Sequence, residues 1–243
     1  MKPLVVSHKD WLAARTALLA EEKSVTRARD EVARKRRELP WEKVDKDYIF
    51  ESSTGPVKLA DLFQSRSQLF LYHFMLAPDW ENPCEGCSFI ADHVDAARQH
   101  FEHADLSFAA VSRAGVEKIA HVKKRMGWDF QWVSSGENPF NYDYGVSFTR
   151  EQLASGKVTY NYAEIDNSEN QDLHGCSIFA KGEDGEIYHT YSCYARGAEI
   201  LLGAFNFLDF TPNGRAEEDG IMCWVRRHDE YENNPKKSSC CGS

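Results

Sequence analysis

The chain has no apolar run approaching the ~20 residues that a membrane-crossing helix requires, so a helical membrane anchor is not expected. It has no excess of positive charge either. The 29 Lys and Arg residues are outnumbered by 38 Asp and Glu, for a formal net charge of -9. The cations gather in the N-terminal segment, so the body lacks the basic face that neutralising phosphates would need, and a nucleic-acid partner is disfavoured. Internal repeats are absent. Only one CxxC is present, so a four-thiolate zinc site has no evident second half.

What remains is a globular composition: 42% hydrophobic, 28% charged and 12% aromatic, which argues against wholesale disorder. The 243 residues suit one sizeable domain with extensions. Seven cysteines, an odd number, follow an opening segment Met1–His8 that is too short in apolar residues for a signal peptide. That combination fits a reducing compartment, and a cytoplasmic protein is expected.

The chemistry concentrates at Pro83-Cys84-Glu85-Gly86-Cys87, directly after the apolar run Leu69–Leu76. Two thiols separated by two residues can close a disulfide across one helical turn. A first thiol at a helix N-terminus has its thiolate stabilised by unpaired backbone N–H groups. A redox pair is the leading reading. The alternatives are half of a structural zinc site or a plain core pair, and Cys240-Cys241 in the Ser/Gly-rich tail are the only thiols offering to complete four ligands, in poor geometry.

Ser7 with Asp10 resembles a capping box, and Trp11, Leu18, Val25 and Val32 then recur every seven residues up to Pro40. This predicts one long amphipathic helix over 8–38, packed on the body or on a second copy of the chain rather than free as a coiled coil. Its run Arg27, Arg29, Arg34, Lys35, Arg36, Arg37 is interleaved with Asp30, Glu31 and Glu38, the pattern of a solvated face. Segment 48–63 reads as strand, turn, short strand and helical turn. A buried strand follows at 68–76, then a helix over about 84–102, a strand at 106–112 and a helix at 116–126. Such apolar strands joined by helices indicate a parallel central sheet covered on both faces. Residues 128–172 resist assignment apart from a strand near 157–162. A hairpin is expected over 177–191, a helix over about 198–207, and an extended segment ending in a mobile tail from Asn233.

This element order resembles the thioredoxin superfamily, and Tyr48–Phe63 is similar to the N-terminal segment of its peroxiredoxin-like branch. Four segments carry a closer resemblance: Cys84-Glu85-Gly86-Cys87-Ser88-Phe89, His174-Gly175-Cys176-Ser177-Ile178-Phe179, His189-Thr190-Tyr191-Ser192-Cys193-Tyr194-Ala195-Arg196-Gly197 and Leu208-Asp209-Phe210-Thr211-Pro212-Asn213-Gly214-Arg215. They resemble the bacterial family known as domain-of-unknown-function family 899, predicted dithiol-disulfide oxidoreductases. The likeness runs from the first helix to Trp224…His228-Asp229…Tyr231. It implies an α/β, thioredoxin-like three-layer fold: a mixed central sheet flanked by helices, with a long N-terminal helix and a C-terminal extension. The implied division is 1–40 for the helix, 41–212 for the thioredoxin-like domain and 213–243 for the extension and tail. The chain departs from thioredoxin in having Glu-Gly between the cysteines. It also has His174-Gly175 where thioredoxins place a cis-proline, as no proline lies between Pro139 and Pro212. That argues against a general protein-disulfide reductase.

The expected activity is thiol-disulfide oxidoreduction, with Cys84 as nucleophile and Cys87 as resolving thiol, no cofactor and no metal. A disulfide or peroxide would be the substrate and a cellular dithiol the reductant, with helix 8–38 as the surface for a homo-oligomer. Glu85 beside the thiolate opposes ionisation, so a moderately acidified Cys84 is expected. The other readings are a peroxiredoxin-like thiol peroxidase and a non-catalytic binding or zinc module. For the peroxidase, Arg196, Tyr191 and Thr190 are the candidate donors, although their expected strand and cap positions suit structural roles, and His189 stands in the same segment. His73 and His93, Trp80 and Trp128 are expected in the core or at the surface, and Cys176 and Cys193 as inert buried thiols in the hairpin.

Overall fold

The computed structural model describes residues 4–136 and 138–231. Two compact units divide at Trp41. The first is dominated by α1 (His8–Arg37), whose N-cap Ser7 accepts from the Asp10 N–H and donates its hydroxyl to the Asp10 carboxylate. The first contact satisfies a backbone N–H that the first turn leaves open. Along α1, Arg15 pairs with Glu22 and Arg34 with Glu31.

The second unit is built on an eight-stranded mixed sheet. In chain order its strands are β1 (Glu42–Lys43), β2 (Ile49–Ser52), β3 (Gly55–Lys58), β4 (Gln68–His73), β5 (Leu106–Ser112), β6 (Gln131–Ser134), and, after a separate small hairpin of β7 (Lys157–Tyr160) and β8 (Ala163–Asp166), β9 (Gly175–Lys181) and β10 (Ile187–Tyr194). The spatial order is β1-β10-β9-β4-β5-β6-β2-β3. Only β4, β5 and β6 run parallel, because helices connect them. The tight turns joining β9 to β10 and β2 to β3 make those pairs antiparallel. The core β10-β9-β4-β5, with helices between β4 and β5 and after β10, is the thioredoxin-like arrangement.

Alternation along β4 sorts the core into two layers. Leu69 and Leu71 join Phe50, Phe63, Val111 and Phe179 on one face. Tyr72, with Phe70 and Phe74, joins Cys87, Ile90, Trp128, Trp132, Cys176 and Phe205 on the other, where the helix carrying the CxxC packs.

The helix expected over 84–102 is two: α3 (Glu85–Ala91) and α4 (Val94–His103), after α2 (Leu59–Leu62) in chain order. The break is made by His93. Its Nδ1 lies 2.7 Å from the Phe89 carbonyl that its own N–H would otherwise use, and that N–H donates to Ile90 instead. The helix at 116–126 is α5 (Val116–Met126), closed by Gly127 at a φ of 66°. The unassigned stretch holds α6 (Phe140–Asp143) and α7 (Arg150–Ala154) as well as β6, β7 and β8. The closing helix is a 3-10 turn, Ala195–Leu201, followed by α8 (Gly203–Leu208). Gly203 is required there, since a Cβ would lie 2.9 Å from the His93 ring. Among the described residues, no helix is long and apolar enough to cross a membrane. The tail expected from Asn233 lies outside the described residues, as do Cys240 and Cys241.

Candidate active site

The chain leaves β4 through a loop that brings Cys84 back against the strand end, its N–H donating to the Met75 carbonyl at 3.2 Å. Cys84 is the N-cap of α3, at φ -55° and ψ 132°. Its sulfur accepts the Cys87 N–H at 3.5 Å, and its carbonyl accepts from both the N–H and the hydroxyl of Ser88. Cys87, one turn on, is 1% exposed and accepts the Met75 N–H at 3.4 Å.

These contacts separate the two thiols chemically. Hydrogen bonding from the Cys87 thiol, then from the Cys87 and Gly86 N–H groups, brings the Cys84 thiol down to about 7, against the opposing effects of burial and the Glu85 charge. Burial pushes the Cys87 thiol well up, and the neighbouring Cys84 pushes it further. Glu85 is only loosely neutralised, at 3.8 Å from Arg226 and 4.0 Å from Arg227. Arg227 also donates to the Pro83 carbonyl, tying the C-terminal segment over the loop.

Both cysteines open onto a cavity of about 400 Å³. It is lined also by Tyr72 and His174, by the apolar Leu202, Phe205, Ile221 and Met222, and by Arg196 and Glu199. His174 sits one residue before β9 and lines the same cavity as the cysteines. Its Nε2 faces the Ala195 carbonyl at 3.0 Å and therefore carries the proton, and burial lowers its basicity, so the ring is neutral. The Tyr160 hydroxyl donates to the His174 carbonyl and accepts the Ala195 N–H, clamping the two loop residues together. Ala195 holds a φ of 47°, a left-handed conformation unusual for a residue with a side chain. The Tyr72 hydroxyl is fully buried and makes no hydrogen bond of regular geometry, and its electrostatic neighbours are the sulfurs of Cys87, Cys176 and Cys84.

Residues 1–231 match the family described as "Bacterial protein of unknown function (DUF899)". The chain belongs to this family. No curated protein matches this DUF899 chain. Among solved structures, peroxidoxin BcpB from Mycobacterium tuberculosis is similar at 16% identity and a TM-score of 0.45, over 70% of this chain and 97% of that one. Peroxiredoxin Q from Xanthomonas campestris is similar at 16% identity and a TM-score of 0.47, over 68% and 95%.

The other residues singled out in the DUF899 chain divide sharply. Arg196 lines the cavity, but its guanidinium is engaged by Glu199, which Arg215 also grips. Thr190 donates to the Ile178 carbonyl, and neither it nor Tyr191 lines the cavity. His189 lies on the far layer beside Tyr144 and Phe179, its Nε2 2.7 Å from the Ser192 hydroxyl. His73, also there, is fully buried between Asn141 and Ser177. His93 accepts the Ala204 N–H, Trp128 donates to Asp92, and Trp80 packs against the core. Cys176 and Cys193 face each other directly across the hairpin, on the CxxC side. Among the described residues, no three or more His, Cys, Asp or Glu side chains are placed to hold a metal ion. Sequence reasoning missed Tyr72, Tyr160 and His174 as parts of the site. The missing proline at 174 was the one available signal.

Proposed function

We propose that this protein is a dithiol-disulfide oxidoreductase in which Cys84 attacks and Cys87 resolves. The observation that carries the reading is the asymmetry of the pair: an acidified, half-buried Cys84 sulfur beside a cavity, hydrogen-bonded to a fully buried Cys87. The Cys84 thiolate attacks one sulfur of a substrate disulfide and expels the other as a thiolate. Cys87, deprotonated as it attacks, then bonds to Cys84 and releases the second substrate thiolate. Two electrons pass from the dithiol to the substrate, both leaving sulfurs take up protons, and an external dithiol restores Cys84 and Cys87. The apolar lining suits a substrate with a hydrophobic body, and neutral His174 adds no charge near the reacting sulfurs.

The test is turnover of a small aromatic disulfide and, in parallel, of an organic hydroperoxide, each with a dithiol reductant. Cys84→Ser is expected to abolish disulfide turnover, and Cys87→Ser to accumulate a mixed disulfide on Cys84. Turnover with the hydroperoxide alone would replace this reading with a thiol peroxidase. Full activity in both variants, or zinc lost on mutation, would sink it in favour of a binding or zinc module.

A further inference from the structure

Two cysteines outside the CxxC lie in the same core. Cys176 on β9 pairs residue for residue with Tyr72 on β4 and, on its other side, with Cys193 on β10. Paired residues in adjacent strands point to the same face, so Tyr72, Cys176 and Cys193 form a row across the sheet. That row lies beneath α3: Tyr72, Cys87 and Cys176 belong to one core cluster, against which Cys84 and Cys193 pack. Directly opposed residues of antiparallel strands have Cα atoms about 4.5–5.5 Å apart, within the range a disulfide spans. The Cys193 thiol is hydrogen-bonded to that of Cys176.

We propose that Cys176 and Cys193 are a second redox pair, which takes the disulfide from Cys84 and Cys87 and carries it across the domain. This rests on the reading of Cys84 and Cys87 as a cycling pair. In the transfer, the Cys176 thiolate attacks Cys87 Sγ of the oxidised CxxC and Cys84 leaves as the thiolate. Cys84 is the better leaving group, because its thiol is the more acidic of the two. The Cys193 thiolate then attacks Cys176 Sγ and expels Cys87. One disulfide is broken and one formed, two electrons move from the hairpin pair to the CxxC, and the protons released by Cys176 and Cys193 end on Cys84 and Cys87. No outside oxidant or reductant enters the step.

Burial explains why an internal relay is needed. Cys176 is 0% exposed and opens to no substrate, whereas Cys87, 1% exposed, lies in its electrostatic neighbourhood. The Tyr72 hydroxyl, fully buried without a regular hydrogen bond, stands among the sulfurs of Cys87, Cys176 and Cys84. A thiolate formed on Cys87 or Cys176 gives it an acceptor. Room for a reacting Cys193 is kept by Gly197, where a Cβ would lie 2.9 Å from Cys193 Cβ and 3.5 Å from its sulfur. Cys84 and Cys193 are both half-buried, so the relay leads from a sulfur in the cavity through buried Cys87 and Cys176 to a second partly accessible sulfur on the hairpin.

The experiment oxidises the reduced full-length chain with glutathione disulfide, quenches with acid, and maps disulfides by alkylation and mass spectrometry. The expected result is a Cys84–Cys87 disulfide followed by a Cys176–Cys193 disulfide, the latter slowed at least about tenfold in Cys84→Ser. Cys193→Ala, at a half-buried site that tolerates truncation better than Cys176, is expected to keep the Cys84–Cys87 disulfide and lose the second. A Cys84–Cys87 disulfide with Cys176 and Cys193 remaining thiols would overturn the relay and leave the proposed function standing. So would a Cys176–Cys193 disulfide that forms equally fast in Cys84→Ser. If Cys84 and Cys87 themselves stay reduced, the proposed function fails and the relay with it.

Discussion

The Tyr160 hydroxyl donates to the carbonyl of His174 at 2.7 Å and thereby fixes a residue that lines the cavity together with the CxxC. The same oxygen accepts the Ala195 N–H at 2.9 Å and so holds that residue in its left-handed conformation. Tyr160→Phe leaves a half-buried N–H and carbonyl without their partner. It should lower unfolding free energy by about 1–3 kcal/mol in urea titrations and raise KM for the disulfide more than it lowers kcat. Unchanged stability would mean that the loop is held by other contacts.

The reactivity of Cys84 should follow its acidity. Alkylation by iodoacetamide, followed peptide by peptide so that Cys240 and Cys241 are counted apart, is expected to rise about tenfold per pH unit below pH 7 and to level off above it, because the thiolate is the nucleophile. Cys84 should label faster than Cys87, Cys176, Cys193 or Cys223. Glu85→Gln removes a charge that opposes ionisation and should speed labelling of Cys84 at pH 6 by about two- to threefold. Faster labelling of Cys87 would exchange the two roles.

On the far layer, burial lowers the His73 imidazole from 6.5 to about 4, so it is neutral in the fold. Between those values the unfolded chain binds a proton that the native state does not, so stability rises with pH across the window and is flat above it. The loss on acidifying from 6.5 to 4 amounts to about 3 kcal/mol. Urea titrations over this range should show that slope in the wild type. They should show a shallower one in His73→Gln, whose amide can bond Asn141 and Ser177 but cannot titrate.

The parts legible in the sequence are those fixed by short-range pattern. The apolar runs of β4 and β5, the capping and periodicity of α1, the Gly-containing turn between β9 and β10, and the CxxC at the start of α3 each carry their own signal. The break at His93 carries none, because the ring that takes the Phe89 carbonyl is held on its other nitrogen by the Ala204 N–H, more than a hundred residues away. Residues 128–172 are nearly silent apart from the strand near 157–162, which is β7. Their short elements are tied by distant polar contacts, chiefly the buried Asp172 holding Arg113 and the Ser147 hydroxyl. Tyr72 lies on β4, Tyr160 on β7 and His174 just before β9, so only the fold brings Tyr72 and His174 to one cavity and sets the Tyr160 hydroxyl against the His174 carbonyl. The pairing of Cys176 with Cys193 depends on the register across the hairpin, which includes an irregularity between His189 and Tyr191. Spacing alone does not reveal it.

The Tyr72 hydroxyl, buried without a hydrogen bond of regular geometry, predicts opposite effects on stability and on catalysis. A buried hydroxyl without a hydrogen bond costs about 1–3 kcal/mol, so Tyr72→Phe, which preserves the ring packed against Phe74, should stabilise the reduced protein by about 1 kcal/mol. The same change removes one of the two groups, with the Met75 N–H, that oppose the rise in the pKa of Cys87, whose buried thiol is already hard to ionise. Resolution by Cys87 should slow about tenfold, as expected for a hydrogen bond to a charged group worth about 1.5 kcal/mol, while the first attack by Cys84 keeps its rate. Stopped-flow measurement of the two steps, with the mixed disulfide trapped by acid, separates them. Equal slowing of both steps, or a destabilised Tyr72→Phe protein, would show instead that the hydroxyl is a packing element satisfied in the reduced state.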